Sequence, residues 1–196
     1  MKRRSSLWLS APFLLLALST QACGFNRVVE TDEDVKAAWS EVQNQYKRRA
    51  DLVPGLVKVV KGAAEFERTT LQQVVEARSK VAGLKVDSST IEDPQKLRAF
   101  EAAQQQLSGA LSRLMVVVER YPNLRASENY RDLQAQLEGT ENRIAVARKR
   151  YIDSVATYNK VVQTFPSMLG ASLRGKKVRP NFEGTPGAEK PPEIEL

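Results

Sequence analysis

The chain of 196 residues contains no histidine and one cysteine, Cys23. The first absence removes the commonest general base, the commonest metal ligand and the pH switch that works near neutrality. The second rules out a disulfide framework within the chain and any Cys–His nucleophile. No catalytic constellation and no cofactor pattern is present, so an enzyme is not expected. A basic stripe with aromatic platforms is missing as well. The net charge of +7 includes Lys2, Arg3 and Arg4, which belong to a segment read below as removed, and the remaining Lys and Arg are interleaved with Glu and Asp. Nucleic acid is therefore not an expected partner. Strand alternation is also absent. The composition, 42% hydrophobic and 27% charged, is that of an ordinary domain with a real core.

The first residues have the three parts of an export signal. Basic Lys2-Arg3-Arg4 precedes the apolar run Leu7 to Leu18, and Ser19-Thr20-Gln21-Ala22 leads into Cys23. An apolar run of about 12 residues suits a signal core and falls short of a dedicated span. Ala22 before Cys23 fits a bacterial lipobox, in which the cysteine sulfur is acylated; Thr20 departs from the Leu usual three positions before it. Residues 1–22 are thus read as a lipoprotein signal peptide, Cys23 as the lipidation site and 23–34 as a lipidated polar tether. An uncleaved signal anchor and an ordinary secreted protein are the alternatives. All three place the body outside the cytoplasm, on the periplasmic side in a Gram-negative host. Gly24, rather than Asp, points away from inner-membrane retention in such a host.

Residues 35–169 carry four amphipathic helical patterns. In the first, Val35, Ala38/Trp39, Val42, Tyr46 and Arg49/Ala50 step by three and four. Pro54 predicts a corner near Asp51, with one kinked helix as the alternative. The second pattern, to about Leu84, has the seam Val53, Val57, Val60, Ala64, Glu67, Leu71, Val74, Arg78 and Val81. Asp93-Pro94 is a strong helix start. Leu97, Phe100, Ala103, Leu107, Ala110/Leu111, Leu114 and Val117/Val118 follow, and Tyr121-Pro122-Asn123 stops that helix. Ser127 opens the last pattern, with Leu137, Ile144, Tyr151, Val155, Tyr158, Val162 and Phe165 on its seam. The expected fold is all-α, an antiparallel up-down four-helix bundle. Seams of about 28 to 40 residues make it a rod of about 42 to 60 Å. The Pro- and Gly-rich tail, 170–196, is expected to lack structure, with Phe182 as the aromatic able to pin it.

Glu67, Arg78, Glu141 and Arg148 fall on seams by register, and Arg49 joins them. Buried charges must pair or reach solvent. The favoured reading is structural, with Glu–Arg pairs fixing register or long side chains leaving from the bundle edge. The competing reading is a ligand- or ion-binding interior; two-metal carboxylate bundles, however, also need histidine. Gln104-Gln105-Gln106 reads as a solvated face.

The assembled pattern resembles the bacterial LemA family. The likeness is carried by Ala37-Ala38-Trp39-Ser40, by Arg48-Arg49-Ala50-Asp51-Leu52-Val53-Pro54-Gly55-Leu56-Val57, and by Glu76-Ala77-Arg78-Ser79. Tyr121-Pro122-Asn123-Leu124, the run Leu137 to Arg148, Tyr158-Asn159, Phe165-Pro166 and Arg179-Pro180-Asn181-Phe182 complete it. The resemblance implies an amino-terminal membrane attachment and an extracytoplasmic four-helix bundle without an established catalytic site. Cys23-Gly24-Phe25-Asn26 fits the lipoprotein form, with Phe where Tyr is usual. The expected role is a scaffold or adaptor for another protein of the cell envelope.

Overall fold

A single helix of 52 residues, α1 (Ser10–Lys61), begins the structure. The structure is a computed structural model that describes residues 10–62 and 67–182, with side chains described from Asn26 onward. The expected export segment 1–22 and the expected lipidation site Cys23 have no described side chains. After α1 come α2 (Arg68–Gly83), a 3-10 turn (Ser88–Ile91), α3 (Pro94–Val118), the short α4 (Pro122–Ala126), α5 (Glu128–Gln163) and α6 (Ser167–Leu173). Among the described residues there is no strand, so the fold is all-helical. The chain divides into two compact units, Met1–Arg48 with Thr140–Arg179, and Arg49–Gly139 with Pro180–Leu196.

The expected corner at Asp51 is absent, and the alternative of one helix holds, because α1 continues through Pro54 without interruption. A proline in a helix interior cannot donate to the carbonyl four residues back, here Ala50. That carbonyl instead accepts from Arg78 Nε, 3.0 Å away. The guanidinium of α2 thus fills the gap that would otherwise favour ending the helix. The break comes later: the Gly62 N–H closes the last turn onto the Lys58 and Val59 carbonyls, and α2 starts at Arg68. The tether expected over 23–34 is helical too. Val28, Thr31 and Asp32 are buried and extend the three-four spacing of Val35 and Trp39 backwards. The Thr31 hydroxyl donates to the Arg27 carbonyl at 2.9 Å, the back-bond available to a threonine inside a helix.

Other boundaries agree with local chemistry. Asp93 accepts from the Gln95 N–H at 2.8 Å, with Pro94 in the first turn. Asp87 caps the 3-10 turn reciprocally: its carboxylate accepts from the Ser89 N–H, and its own N–H donates to the Thr90 hydroxyl. Tyr121-Pro122 ends α3, and Ser127 separates α4 from α5 in an extended conformation.

In the first unit Val28, Val35, Trp39, Val42 and Tyr46 of α1 are buried, as are Ile144, Ala147, Tyr151, Val155, Tyr158 and Val162 of α5. Trp39 and Tyr151 meet with ring centroids 5.5 Å apart at a tilt, an arrangement aromatic quadrupoles favour. The core of the second unit gathers Val53, Leu56 and Val60 with Val74 and Ala77, then Leu107, Leu111, Leu114 and Val118 of α3, and Tyr130 and Leu137 of α5. Each fully buried Val or Leu there contributes about 1.5–3 kcal/mol.

Two seams differ from expectation by one position. On α2 the buried face is Thr70, Val74 and Ala77, which leaves Glu67 exposed and Arg78 half-buried. On α5 Thr140 is buried where Glu141 was expected, and Glu141 is exposed. Phe165, placed on the seam by spacing, lies beyond the end of α5 and is 73% exposed. The expected unstructured tail also begins too early. Residues 170–182 are described, and Arg179 and Phe182 are buried; residues 183–196 of that tail lie outside the described residues.

Candidate functional site

Charge is buried in both units, Asp32 and Arg179 in the first and Arg49 and Glu101 in the second. In the first, the spacing of Val28, Val35 and Trp39 puts Asp32 on the buried face of α1, where it is 2% exposed. Its Oδ1 lies 2.8 Å from Arg179 Nη2. Its Oδ2 receives Lys176 Nζ at 2.9 Å and Lys36 Nζ at 3.1 Å. Burial alone would raise the Asp32 pKa, but hydrogen bonds from Lys176 and Lys36 and the charge of Arg179 outweigh it and hold it below the usual value. A carboxylate surrounded by three cations stays ionised and is a poor proton acceptor.

Residues 176–179 are fastened to α5 as well. The Arg179 N–H donates to Asn159 Oδ1 at 2.8 Å, and its carbonyl accepts from Asn159 Nδ2 at 2.9 Å. Tyr158 donates its hydroxyl to the Lys177 carbonyl at 3.1 Å. The Arg179 guanidinium lies over the Tyr158 ring, 5.0 Å from its centroid, a cation–π contact. Asn159 therefore satisfies both backbone groups of a residue that no helix or sheet would serve. The cluster ties a carboxy-terminal segment to α1 and α5.

In the second unit Arg49 is 1% exposed. Its Nη2 donates to Gln104 Oε1 at 2.6 Å and to the Gln104 carbonyl at 3.1 Å, and its Nη1 donates to Ser108 Oγ. Gln104, read in the sequence as solvated, is buried for this reason. A serine and a glutamine one turn apart on α3 form a polar notch for the planar guanidinium.

The five seam charges are divided between the two units. Arg49, Glu67 and Arg78 belong to one unit, Glu141 and Arg148 to the other. Glu67 forms a surface pair with Arg120 at 2.8 Å. Arg78 holds the Ala50 carbonyl, and Arg148 Nη1 donates to the Tyr46 hydroxyl at 3.1 Å. A ligand-binding interior draws no support from these positions, since both glutamates face solvent. Among the described residues no group of three Cys, Asp or Glu could hold a metal ion. The second unit also carries an open groove of about 830 Å³ beside Gly55, Lys58, Asn123, Asp132 and Leu133. Sequence reading missed Asp32, placed within the polar tether, and Lys176; Arg179 was visible only as part of a motif.

Fold and polar clusters together define an all-helical protein whose buried charges fasten helices and a carboxy-terminal segment. The chain belongs to the LemA family, whose profile matches residues 38–196. It is 26% identical over 201 residues to magnetosome protein MamQ of Magnetospirillum gryphiswaldense, covering 94% of this chain and 74% of that one. Magnetosome protein MamQ 2 of Paramagnetospirillum magneticum is 26% identical over 192 residues, 89% of this chain and 70% of its own. Protein LemA of Metamycoplasma hominis is 24% identical over 140 residues, 71% of this chain and 60% of its own. The family motifs have physical counterparts: Pro54 with Arg78 across the Ala50 carbonyl, Tyr158-Asn159 with Arg179, and Arg49, of the run Arg48 to Val57, with Gln104 and Ser108.

Proposed function

We propose that this is a non-catalytic helical-bundle protein of the bacterial cell envelope, anchored to a membrane at its amino end, that acts as a scaffold or adaptor for another envelope protein. The observation that carries the reading is where the buried charge goes. Asp32, Arg49 and Arg179 each bind helix or chain to helix, so the polar interior serves assembly of the fold. Relatives named for the magnetosome, a cellular structure and not a reaction, agree with a protein that works by association. The reading joins α1, α2, α3 and α5 in one antiparallel four-helix bundle.

Attachment runs through a lipid on Cys23 or an uncleaved signal anchor, with the body outside the cytoplasm. Among the described residues no helix is long and apolar enough to cross a membrane. Two or three acyl chains would suffice to hold the protein, at about 0.8 kcal/mol per buried methylene. Metabolic acyl-chain labelling of wild type against Cys23→Ala tests the anchor; equal labelling removes the lipid. Crosslinking in cells followed by affinity purification tests the role. A reproducible envelope protein crosslinked to the body is the expected result, and a body with no such neighbour would overturn the adaptor reading.

A further inference from the structure

The seven residues of α6 are inside out. Gly170 and Ala171 are its buried residues, whereas Met168 and Leu169 are exposed and Leu173 is 83% exposed. Just ahead of the helix, Phe165 is exposed as well. A helix docked only to bury apolar surface would turn its large residues inward and leave glycine outside. Here the small residues allow close docking, and Leu169 and Leu173, one turn apart, form an outward apolar face.

Along this stretch of the chain the charge is of one sign, the nearby acid being the α1 carboxylate of Asp32 that Lys176 and Arg179 already hold. From Ser154 to Phe182 there is no acidic residue, while Arg174 and Lys177 follow the apolar face directly and are exposed. Position adds a second constraint. In the first unit α5 runs antiparallel to α1: Tyr46 meets Arg148, Trp39 meets Tyr151, and Asp32 is held beside Tyr158 through Arg179. The end of α5 therefore lies about five residues, or ~7 Å, past Asp32 in the direction of the amino terminus. Cys23 is about nine residues, or ~13 Å along α1, from Asp32 in that same direction.

We infer that α6 is an interfacial membrane contact: Phe165, Met168, Leu169 and Leu173 enter the outer edge of an anionic bilayer, and Arg174 and Lys177 meet its phosphate headgroups. The contact rests on the anchored reading above and adds to it a second attachment, which would fix the orientation of the first unit on the membrane. Apolar side chains flanked by cations are the composition that binds at such an interface.

The test uses the full chain in its native membrane and in proteoliposomes rich in phosphatidylglycerol. Photo-crosslinking residues are introduced as Leu169→p-benzoylphenylalanine and Leu173→p-benzoylphenylalanine, both at exposed positions where folding is not at stake. Val146→p-benzoylphenylalanine is the control, on an exposed face of α5 about 19 residues, or ~28 Å, before Phe165. Retention after a carbonate wash is scored in the same samples. The expected result is a retained chain with lipid adducts at 169 and 173 and not at 146. Arg174→Gln and Lys177→Gln should each weaken the contact about fivefold on anionic vesicles and leave it unchanged on phosphatidylcholine. A retained chain with equal adducts at 169 and 146, or with protein adducts in place of lipid, overturns the contact. A chain released by the wash but still forming lipid adducts at 169 overturns the anchor alone; one released without adducts overturns both.

Discussion

Arg78 and Pro54 never touch in sequence, yet the structure couples them through one atom, the Ala50 carbonyl oxygen. Arg78→Met keeps the apolar stem and removes the donor, leaving that carbonyl in a half-buried place without its partner. Losing a hydrogen bond to a charged group costs about 1.5–3 kcal/mol when the acceptor is buried; partial exposure of both residues puts the expectation near 1.5 kcal/mol. Pro54→Ala restores a backbone N–H able to reach the same carbonyl, so in its presence Arg78→Met should cost less than about 0.5 kcal/mol. The double-mutant cycle then shows a coupling of about 1 kcal/mol. Urea unfolding of the four chains measures it, and with a slope of ~2 kcal/mol per molar the single Arg78→Met variant shifts its midpoint by ~0.7 M. Additivity within about 0.3 kcal/mol would refute the argument, because independent sites add to that level. It would mean that α1 passes Pro54 for a reason unrelated to Arg78.

Three further outcomes follow from the charged residues. Asp32→Asn leaves Arg179 and Lys176 beside a neutral group and should cost about 3 kcal/mol at pH 7. The Asp32 pKa is lowered in the folded chain, so its contribution is complete above the unfolded value near 3.9 and is lost as pH falls through the folded value. The gap between wild type and variant must therefore narrow below about pH 4; a gap that widens on acidification refutes the assignment. Arg49→Ala leaves Gln104 and Ser108 without their donor and should cost about 1–3 kcal/mol, whereas Arg49→Lys, keeping the charge without the fork, should lose less, by the same unfolding assay. Glu67→Gln removes the charge from an exposed pair with Arg120, and stability should change by less than about 1 kcal/mol.

Helix type and most helix ends were legible because they depend on local chemistry. Asp93-Pro94 starts α3 with groups that are neighbours in the chain, and Tyr121-Pro122 ends it in the same way. The apolar seams of α1 and α5 were legible for a related reason, since residues such as Trp39, Val42, Tyr151 and Val155 have one favourable place to go. The miss at Pro54 is of another kind. Proline ends a helix unless something else satisfies the freed carbonyl, and that donor lies 28 positions away on α2. No window along the chain contains it.

Charged and polar seam positions were the least legible part, since register alone cannot choose between Glu141 and Thr140, one position apart, when both fit a three-four step. Burial chose the residue that needs the smaller desolvation, threonine over a carboxylate. Where a charge is buried, the reason is again distant: Arg49 has Gln104 and Ser108, and Asp32 has Lys176 and Arg179, 144 positions or more along the chain. Each of these contacts joins segments remote in sequence and contributes only when the segments are already side by side. Polar contacts of this kind select one register among several that the apolar seams would accept, because a one-position slip leaves Asp32 or Arg49 buried without partners at a cost of several kcal/mol. Replacing a whole cluster with apolar residues of similar volume should therefore preserve stability better than removing one member, while relaxing the uniqueness of the packing.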